Sequence, residues 1–277
     1  MPHGLTNTEI ARFQRDGYLP SRRILSREET LALRGKLEAY EATQTGPLEG
    51  SNRFKTHLLF TWLADLVRHP KILDLVEDLI GPDIMVWSGD WWIKEARSAS
   101  FVSWHQDSQY WGLDTTRLVT IWVALSTANE SSGCMRVLPG SHLEADLAHS
   151  DTYHPDNMLT RGQSIQDVDE LKATNLEVEA GEAIPFAFRI AHASHPNRSD
   201  DRRIGYAIRY VPPDARQTLS DRDAAALVRG EDRFGYFEHE PRPSRDFDPV
   251  AVEFHRRTED DRRKILYHGT GLDEHRT

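Results

Sequence analysis

Trp104-His105-Gln106-Asp107 sets an imidazole and a carboxylate two positions apart in a stretch that reads as extended. Residues two apart on a strand point to the same side, so His105 and Asp107 can converge on one ion. His-x-Asp is a common pattern, and without a third donor it reads equally well as a hydrogen-bonded surface pair. Far downstream, Phe186 to His192 reads as a strand whose apolar face, Phe186, Phe188 and Ile190, ends in His192. A lone histidine there would also serve as a hydrogen-bonded core residue. His195 is the rival third donor, but it precedes Pro196-Asn197 and belongs with the turn. Two imidazoles and one carboxylate form the facial triad of non-haem Fe(II) oxygenases, which leaves metal positions open for a co-substrate.

A keto acid such as 2-oxoglutarate would fill two of those positions and would need a cation for its far carboxylate. Asp201-Arg202-Arg203 leads into an apolar run, Ile204 to Tyr210, that reads as the antiparallel neighbour of the His192 strand. Adjacent strand residues face opposite ways, so only one of Arg202 and Arg203 reaches the interior, where a guanidinium grips a carboxylate with two donors. The lone cysteine, Cys134, excludes an internal disulfide and a thiolate-rich zinc site, leaving histidine and carboxylate as metal donors.

The elements that must position these groups follow from the rest of the chain. Thr6 with Glu9 and Ser26 with Glu29 have capping-box spacing and predict two helices separated by Gly17 and an extended Tyr18-to-Leu25 stretch. Thr43 to Asn52 has turn composition and reads as a surface loop that could act as a lid, and it leads directly into Lys55 and His57. Further helices are expected from Thr61 and from Pro70, where Ile72, Leu75, Val76, Leu79 and Ile80 recur at helical spacing before Gly81-Pro82. Beyond Gly81 come short β-prone runs: 84–87, 91–93, 101–102, 118–125 and 204–211. Helices followed by many strands predict a mostly β fold, a sandwich or barrel buttressed by helices. The long polar stretch between His142 and Asn175 is of the functional or mobile kind, and a last helix is expected around Asp248 to Tyr267.

With 277 residues, one domain spanning 1–277 is expected. No apolar run is long enough for a membrane helix, and the N-terminus has no secretory pattern, so the expected location is cytoplasmic. Forty-four acidic against 34 basic residues, a net charge of −10, argue against nucleic acid as a partner. The expected partner is a small-molecule substrate.

Four segments together resemble the phytanoyl-CoA dioxygenase family of iron and 2-oxoglutarate oxygenases. They are Ser103 to Asp107, Thr120 to Leu125, Gly133 to His142, and His192 to Ser199 followed by Arg202-Arg203. The resemblance implies a double-stranded β-helix, a jelly-roll barrel of the cupin kind. It implies that His105, Asp107 and His192 hold Fe(II), that Arg203 binds the distal carboxylate of 2-oxoglutarate with support from Ser194, and that Trp122 lines the co-substrate pocket. Lys55 and His57 match a Lys-x-His-Leu-Leu pattern of bacterial relatives and are expected to face co-substrate or substrate; His142 looks structural. Where many relatives carry histidines and a glycine around the last ligand, this chain has Phe186, Ala187 and Ala193. Asp107 stands where related halogenases have Gly or Ala, which favours hydroxylation.

The resemblance therefore implies a hydroxylase that uses O2 and 2-oxoglutarate to oxidise an unactivated C–H of a small polar metabolite or natural-product intermediate, releasing succinate and CO2. Two alternatives stay open: a cupin-type metal enzyme without 2-oxoglutarate, and a non-catalytic small-molecule-binding barrel.

Overall fold

The structure, a computed structural model, describes residues 3–44, 48, 50–144 and 146–268. Five helices are found among them: α1 (Asn7–Asp16), α2 (Arg27–Glu41), α3 (Thr61–Leu66), α4 (Pro70–Ile80) and α5 (Pro249–Leu266). Both capping boxes form: the Thr6 and Ser26 hydroxyls accept from the Glu9 and Glu29 backbones, and each glutamate accepts from the cap residue in return. Pro70 opens α4, where its missing N–H costs nothing, and Gly81 closes it. Gly17 ends α1 with φ of 81°, and a Cβ there would lie 2.5 Å from His142 Nδ1, so the histidine packs on the bare glycine. His142 also reaches Gln14 O through Nε2 at 3.1 Å, which bears out its structural role. Of the loop read at 43–52, residues 45–47 and 49 lie outside the described residues; Gly50–Arg53 form a short 3-10 turn.

Thirteen strands are described: β1 (Arg22–Arg23), β2 (Ile84–Lys94), β3 (Val102–His105), β4 (Val119–Ala124), β5 (Met135–Val137), β6 (His149–Asp151), β7 (Gln163–Ile165), β8 (Thr174–Leu176), β9 (Glu182–Ala187), β10 (His192–Ser194), β11 (Arg203–Val211), β12 (Ala224–Arg229) and β13 (Glu238–His239). A seven-stranded sheet runs β1-β9-β4-β11-β2-β12-β13 and a four-stranded sheet runs β3-β10-β5-β8, with β6 and β7 forming a separate hairpin. This is the expected mostly β jelly roll with flanking helices. The larger core packs α2, α3 and α4 onto the outer face of the seven-stranded sheet through Leu37, Leu63, Ile72, Val76, Val86, Ile121 and Ile208. A second apolar layer, Trp122, Met135, Val137, Ile184, Phe186 and Ala207, lies between the two sheets. No helix of the described residues is long and apolar enough to cross a membrane.

Three local readings are corrected. The runs 84–87 and 91–93 are one strand of eleven residues. Gly89 sits in its middle because a Cβ there would meet Tyr206 Oη at 2.4 Å. The stretch 186–192 is not one strand: β9 stops at Ala187, a turn closed by Ile190 N to Ala187 O follows, and His192 starts β10 in the other sheet. Arg189 sits in that turn and pairs with Asp146, but a single charge fits the outward face of a strand equally well, so the run's period does not mark the corner. For the same reason β11 does not neighbour β10; it pairs with β2 and β4.

Candidate metal centre and co-substrate pocket

The antiparallel ladder of β3 and β10 sets His192 directly opposite His105, so both side chains leave the same face, with ring centroids 4.1 Å apart. Asp107 follows at the start of a short 3-10 turn (Asp107–Gln109), its Oδ1 3.4 Å from His105 Nε2. One donor atom from each of the three residues fits within 4.8 Å of the others. His105 Nδ1 lies 2.9 Å from Ser103 O, and His192 Nδ1 3.0 Å from Ile190 O. A carbonyl accepts only from N–H, so both rings carry their proton on Nδ1 and present the Nε2 lone pair inward.

Burial, reinforced by the neighbouring His105, pushes His192 down to about 4, which keeps its imidazole neutral. Burial works against a charged Asp107, yet its neighbours His105, His192 and Arg209 together outweigh it, and the carboxyl sits below its usual range. Two imidazoles and one carboxylate, converging on one point, are a donor set that suits a divalent iron. Between them, Gln106 turns away: its Nε2 donates to Arg189 O at 2.7 Å and its Oε1 accepts from Leu147 N at 2.9 Å, tying down the 188–190 corner.

A cavity beside the triad is lined by Trp92, Trp122, Met135, Phe186, Ser194, Arg203 and Arg209. Arg203 is buried, its Cζ 5.5 Å from the Trp122 ring centroid, and Nε has no hydrogen-bond partner. Among the described residues its two terminal nitrogens reach only the Gly133 and Trp92 carbonyls, at 3.2 and 3.3 Å. Burial brings it down to about 10, still protonated at neutral pH. A buried guanidinium with weak neutral acceptors is a seat for a carboxylate, which fits the far end of 2-oxoglutarate. Arg202 faces the other way and pairs with Glu41 and Glu95. His195 is exposed, with Nε2 against Arg136 at 2.7 Å, and stays out of the centre.

On the opposite side a larger pocket runs from His105 and Asp107 to Lys55, Trp87, Asp90, Tyr110, Trp111, Gln163, Arg209 and Asp223, roofed by Met158 to Thr160 and by α5. The polar stretch between 142 and 175 therefore does cover the centre. Lys55 lines this pocket, and its Nζ donates to Glu240 Oε1 at 2.5 Å; His57 Nε2 meets Glu240 Oε2 at 2.6 Å. Neither is a surface group, but His57 lies behind the pocket wall, not on it.

Sequence reasoning missed Lys94, the buried Asp90–Arg209 ion pair, Asp223 and Glu240. Lys94 could have been found: it shares a strand face with Trp92. Glu240 lies in a charged tail with no local pattern.

The fold and site define the class of Fe(II)- and 2-oxoglutarate-dependent oxygenases. The chain belongs to the phytanoyl-CoA dioxygenase (PhyH) family, whose model matches residues 13–205. It is similar to the L-proline trans-4-hydroxylase of Streptomyces griseoviridis, 28% identical over 224 residues, covering 72% of this chain and 84% of that enzyme. The solved structure of the non-heme monooxygenase ThoJ, without metal, superposes with a TM-score of 0.81 at 36% identity, covering 93% of this chain and 96% of that one. CytC3 with Fe(II) and alpha-ketoglutarate shares the fold, with a TM-score of 0.63 at 23% identity over 85% of this chain and 93% of that one. Iron, 2-oxoglutarate and O2 are the cofactor and co-substrates of this class.

Proposed function

We propose that the enzyme hydroxylates an unactivated C–H of a small polar metabolite or natural-product intermediate, with His105, Asp107 and His192 as the iron ligands. The observation that carries this reading is the convergence of the triad with a buried, underpartnered Arg203 on one cavity. When bound, iron and 2-oxoglutarate supply the oxidising power, with 2-oxoglutarate ending as succinate and CO2 and one oxygen atom passing to the substrate.

The chain's own residues do the rest. His105 and His192 present Nε2 because the Ser103 and Ile190 carbonyls hold their Nδ1 protons. Arg203 takes the distal carboxylate, Ser194 supports it, and Trp122 walls the cavity. Met158 to Thr160 and α5 keep water from the reacting centre. The substrate side combines aromatic walls (Trp87, Tyr110, Trp111) with fixed charges (the Asp90–Arg209 pair, Lys55, Asp223), which supports a polar substrate of modest size. An open groove of about 570 Å³, bounded by Arg53, Trp91, Tyr153, Pro155 and Arg263, adjoins this pocket and supplies an entry.

The test is a metabolite screen for substrate-dependent succinate release after anaerobic iron loading and admission of O2. His105→Ala, Asp107→Ala and His192→Ala each abolish release and weaken iron binding, while His195→Ala keeps most iron affinity. Iron lost in His195→Ala and kept in His192→Ala would overturn the ligand assignment.

A further inference from the structure

Besides the triad, five charged side chains line the pocket on the substrate side: Lys55, Asp90, Arg209, Asp223 and Arg262. Four of them are already paired, Lys55 with Glu240, Arg209 with Asp90 and Arg262 with Glu259. Asp223 is different. Among the described residues its partners are three N–H donors, none of them charged.

Those donors hold the carboxyl group in a fixed position. Its Oδ2 accepts from Trp87 Nε1 at 2.7 Å and from Gln217 Nε2 at 3.0 Å, and its Oδ1 accepts from Ala224 N at 2.8 Å. Gln217 Nε2 also donates to Trp111 O at 2.9 Å, so one amide ties the acid to the segment that carries Trp111. Each carboxylate oxygen offers two lone pairs. Both on Oδ2 are taken, while Oδ1 keeps one that meets no donor among the described residues.

An acid held among neutral partners is costly to ionise. Burial raises the Asp223 carboxyl, and the Lys55 charge and the three hydrogen bonds oppose it. A cation arriving from the pocket would act in the same sense as Lys55 and favour the carboxylate further. The neighbouring indoles of Trp87 and Trp111, with ring centroids 5.0 Å apart, replace water with low-dielectric walls, where such an attraction is stronger.

We propose that the substrate is an organic cation with an N–H to donate, a protonated amine or an amidinium-type group, and that Asp223 Oδ1 seats it while the carbon frame lies toward the triad. This deepens the oxygenase reading above and rests on it. Asp223 is a specificity-determining residue: it holds the charge of the substrate and takes no part in oxygen transfer.

The probes share a butyl chain and differ in the head group. Butylammonium and butylguanidinium carry charge and N–H, butyltrimethylammonium charge alone, butan-1-ol no charge, and butyrate the opposite charge. Calorimetry reads their binding to the parent, Asp223→Asn and Asp223→Glu, all anaerobic with Fe(II) and 2-oxoglutarate bound. In the parent the better of the two N–H cations is expected to bind at least about tenfold tighter than butan-1-ol or butyrate, and also tighter than butyltrimethylammonium. Asp223→Asn reduces that preference to about twofold or less, Asp223→Glu keeps part of it, and iron and 2-oxoglutarate affinities stay unchanged in both. Equal binding of all probes by the parent, no measurable binding of either N–H cation, or a preference that survives Asp223→Asn overturns the inference. Asp223→Ser is judged by the same comparison if Asn prevents folding. In parallel, a metabolite extract is split on a cation-exchange resin at neutral pH, and each fraction is assayed for substrate-dependent succinate release. Release from the retained fraction that Asp223→Asn loses is the expected result. Release from the unretained fraction alone overturns the cation and leaves the oxygenase standing, whereas a parent protein that binds neither Fe(II) nor 2-oxoglutarate overturns the oxygenase reading itself.

Discussion

Glu240→Gln removes one negative charge and almost no volume from the most enclosed ion cluster among the described residues. Glu240 accepts from Lys55 Nζ at 2.5 Å and pairs with His57 Nε2 at 2.6 Å, and all three side chains are at most 4% exposed. Burial alone would raise the glutamate, but the Lys55 ammonium and the His57 ring outweigh it and hold the carboxyl down to about 2. Against the ordinary value of 4.5, that corresponds to about 3 kcal/mol favouring the folded state. Removing one partner of a buried pair costs about 3–5 kcal/mol by general experience, which agrees. For a chain of this size each kcal/mol moves the melting temperature by about 2–4 °C, so a loss of about 3 kcal/mol should lower the variant's melting temperature by about 6–12 °C at neutral pH. The sign of the pH dependence follows from a depressed acid. The stabilisation is complete above about pH 4.5 and is lost as pH falls toward 2, so the two melting temperatures should converge over that window. Calorimetric or circular-dichroism melts across pH 3 to 7 measure this. A variant melting within about 1 °C of the parent at pH 7 would refute the reasoning, since no solvent screening is available to dilute a pair this buried.

Arg203→Ala should raise the 2-oxoglutarate KM at least tenfold, consistent with about 1.5–3 kcal/mol for a hydrogen bond to a charged group. Arg202→Ala should leave that KM unchanged but lower thermal stability slightly through loss of the bidentate Glu41 contact; equal KM effects would sink the assignment of faces. Gly205→Ala should also weaken 2-oxoglutarate, because its Cβ would lie 1.9 Å from Trp122 Cζ2 and must displace the ring that Arg203 rests on. Unchanged affinity in that variant, measured by calorimetry, would remove Trp122 from the pocket wall.

The centre was legible in the sequence because its parts are local. His105 and Asp107 lie within three residues, and strand parity says that only one of Arg202 and Arg203 faces inward, with the family resemblance choosing Arg203. The capping boxes at Thr6 and Ser26 were legible for the same reason. His192 does lie beside His105, but its face is set by pairing with His105 and not by continuity with Phe186. What stayed hidden depends on distant contacts. Glu240 meets residues 185 and 183 positions away, and no pattern near Pro241 announces a buried anion. The corner after Ala187 was invisible because both sides of it are apolar and both are buried.

In the proposed co-substrate site the metal-facing histidines and the carboxylate-binding guanidinium hang from different sheets. His105 and His192 belong to the four-stranded sheet and Arg203 to the seven-stranded one, with Val137 and Ile184 filling the layer between. A diacid gripped at both ends becomes a strut across that gap, and the gap becomes a gauge for its length. Preference for a five-carbon over a four- or six-carbon keto acid is then set by the thickness of an apolar filling that never touches the acid. Substitutions in that filling should change which keto acid is consumed while leaving the metal-facing side chains in place, so co-substrate choice and metal choice can drift independently in such a barrel.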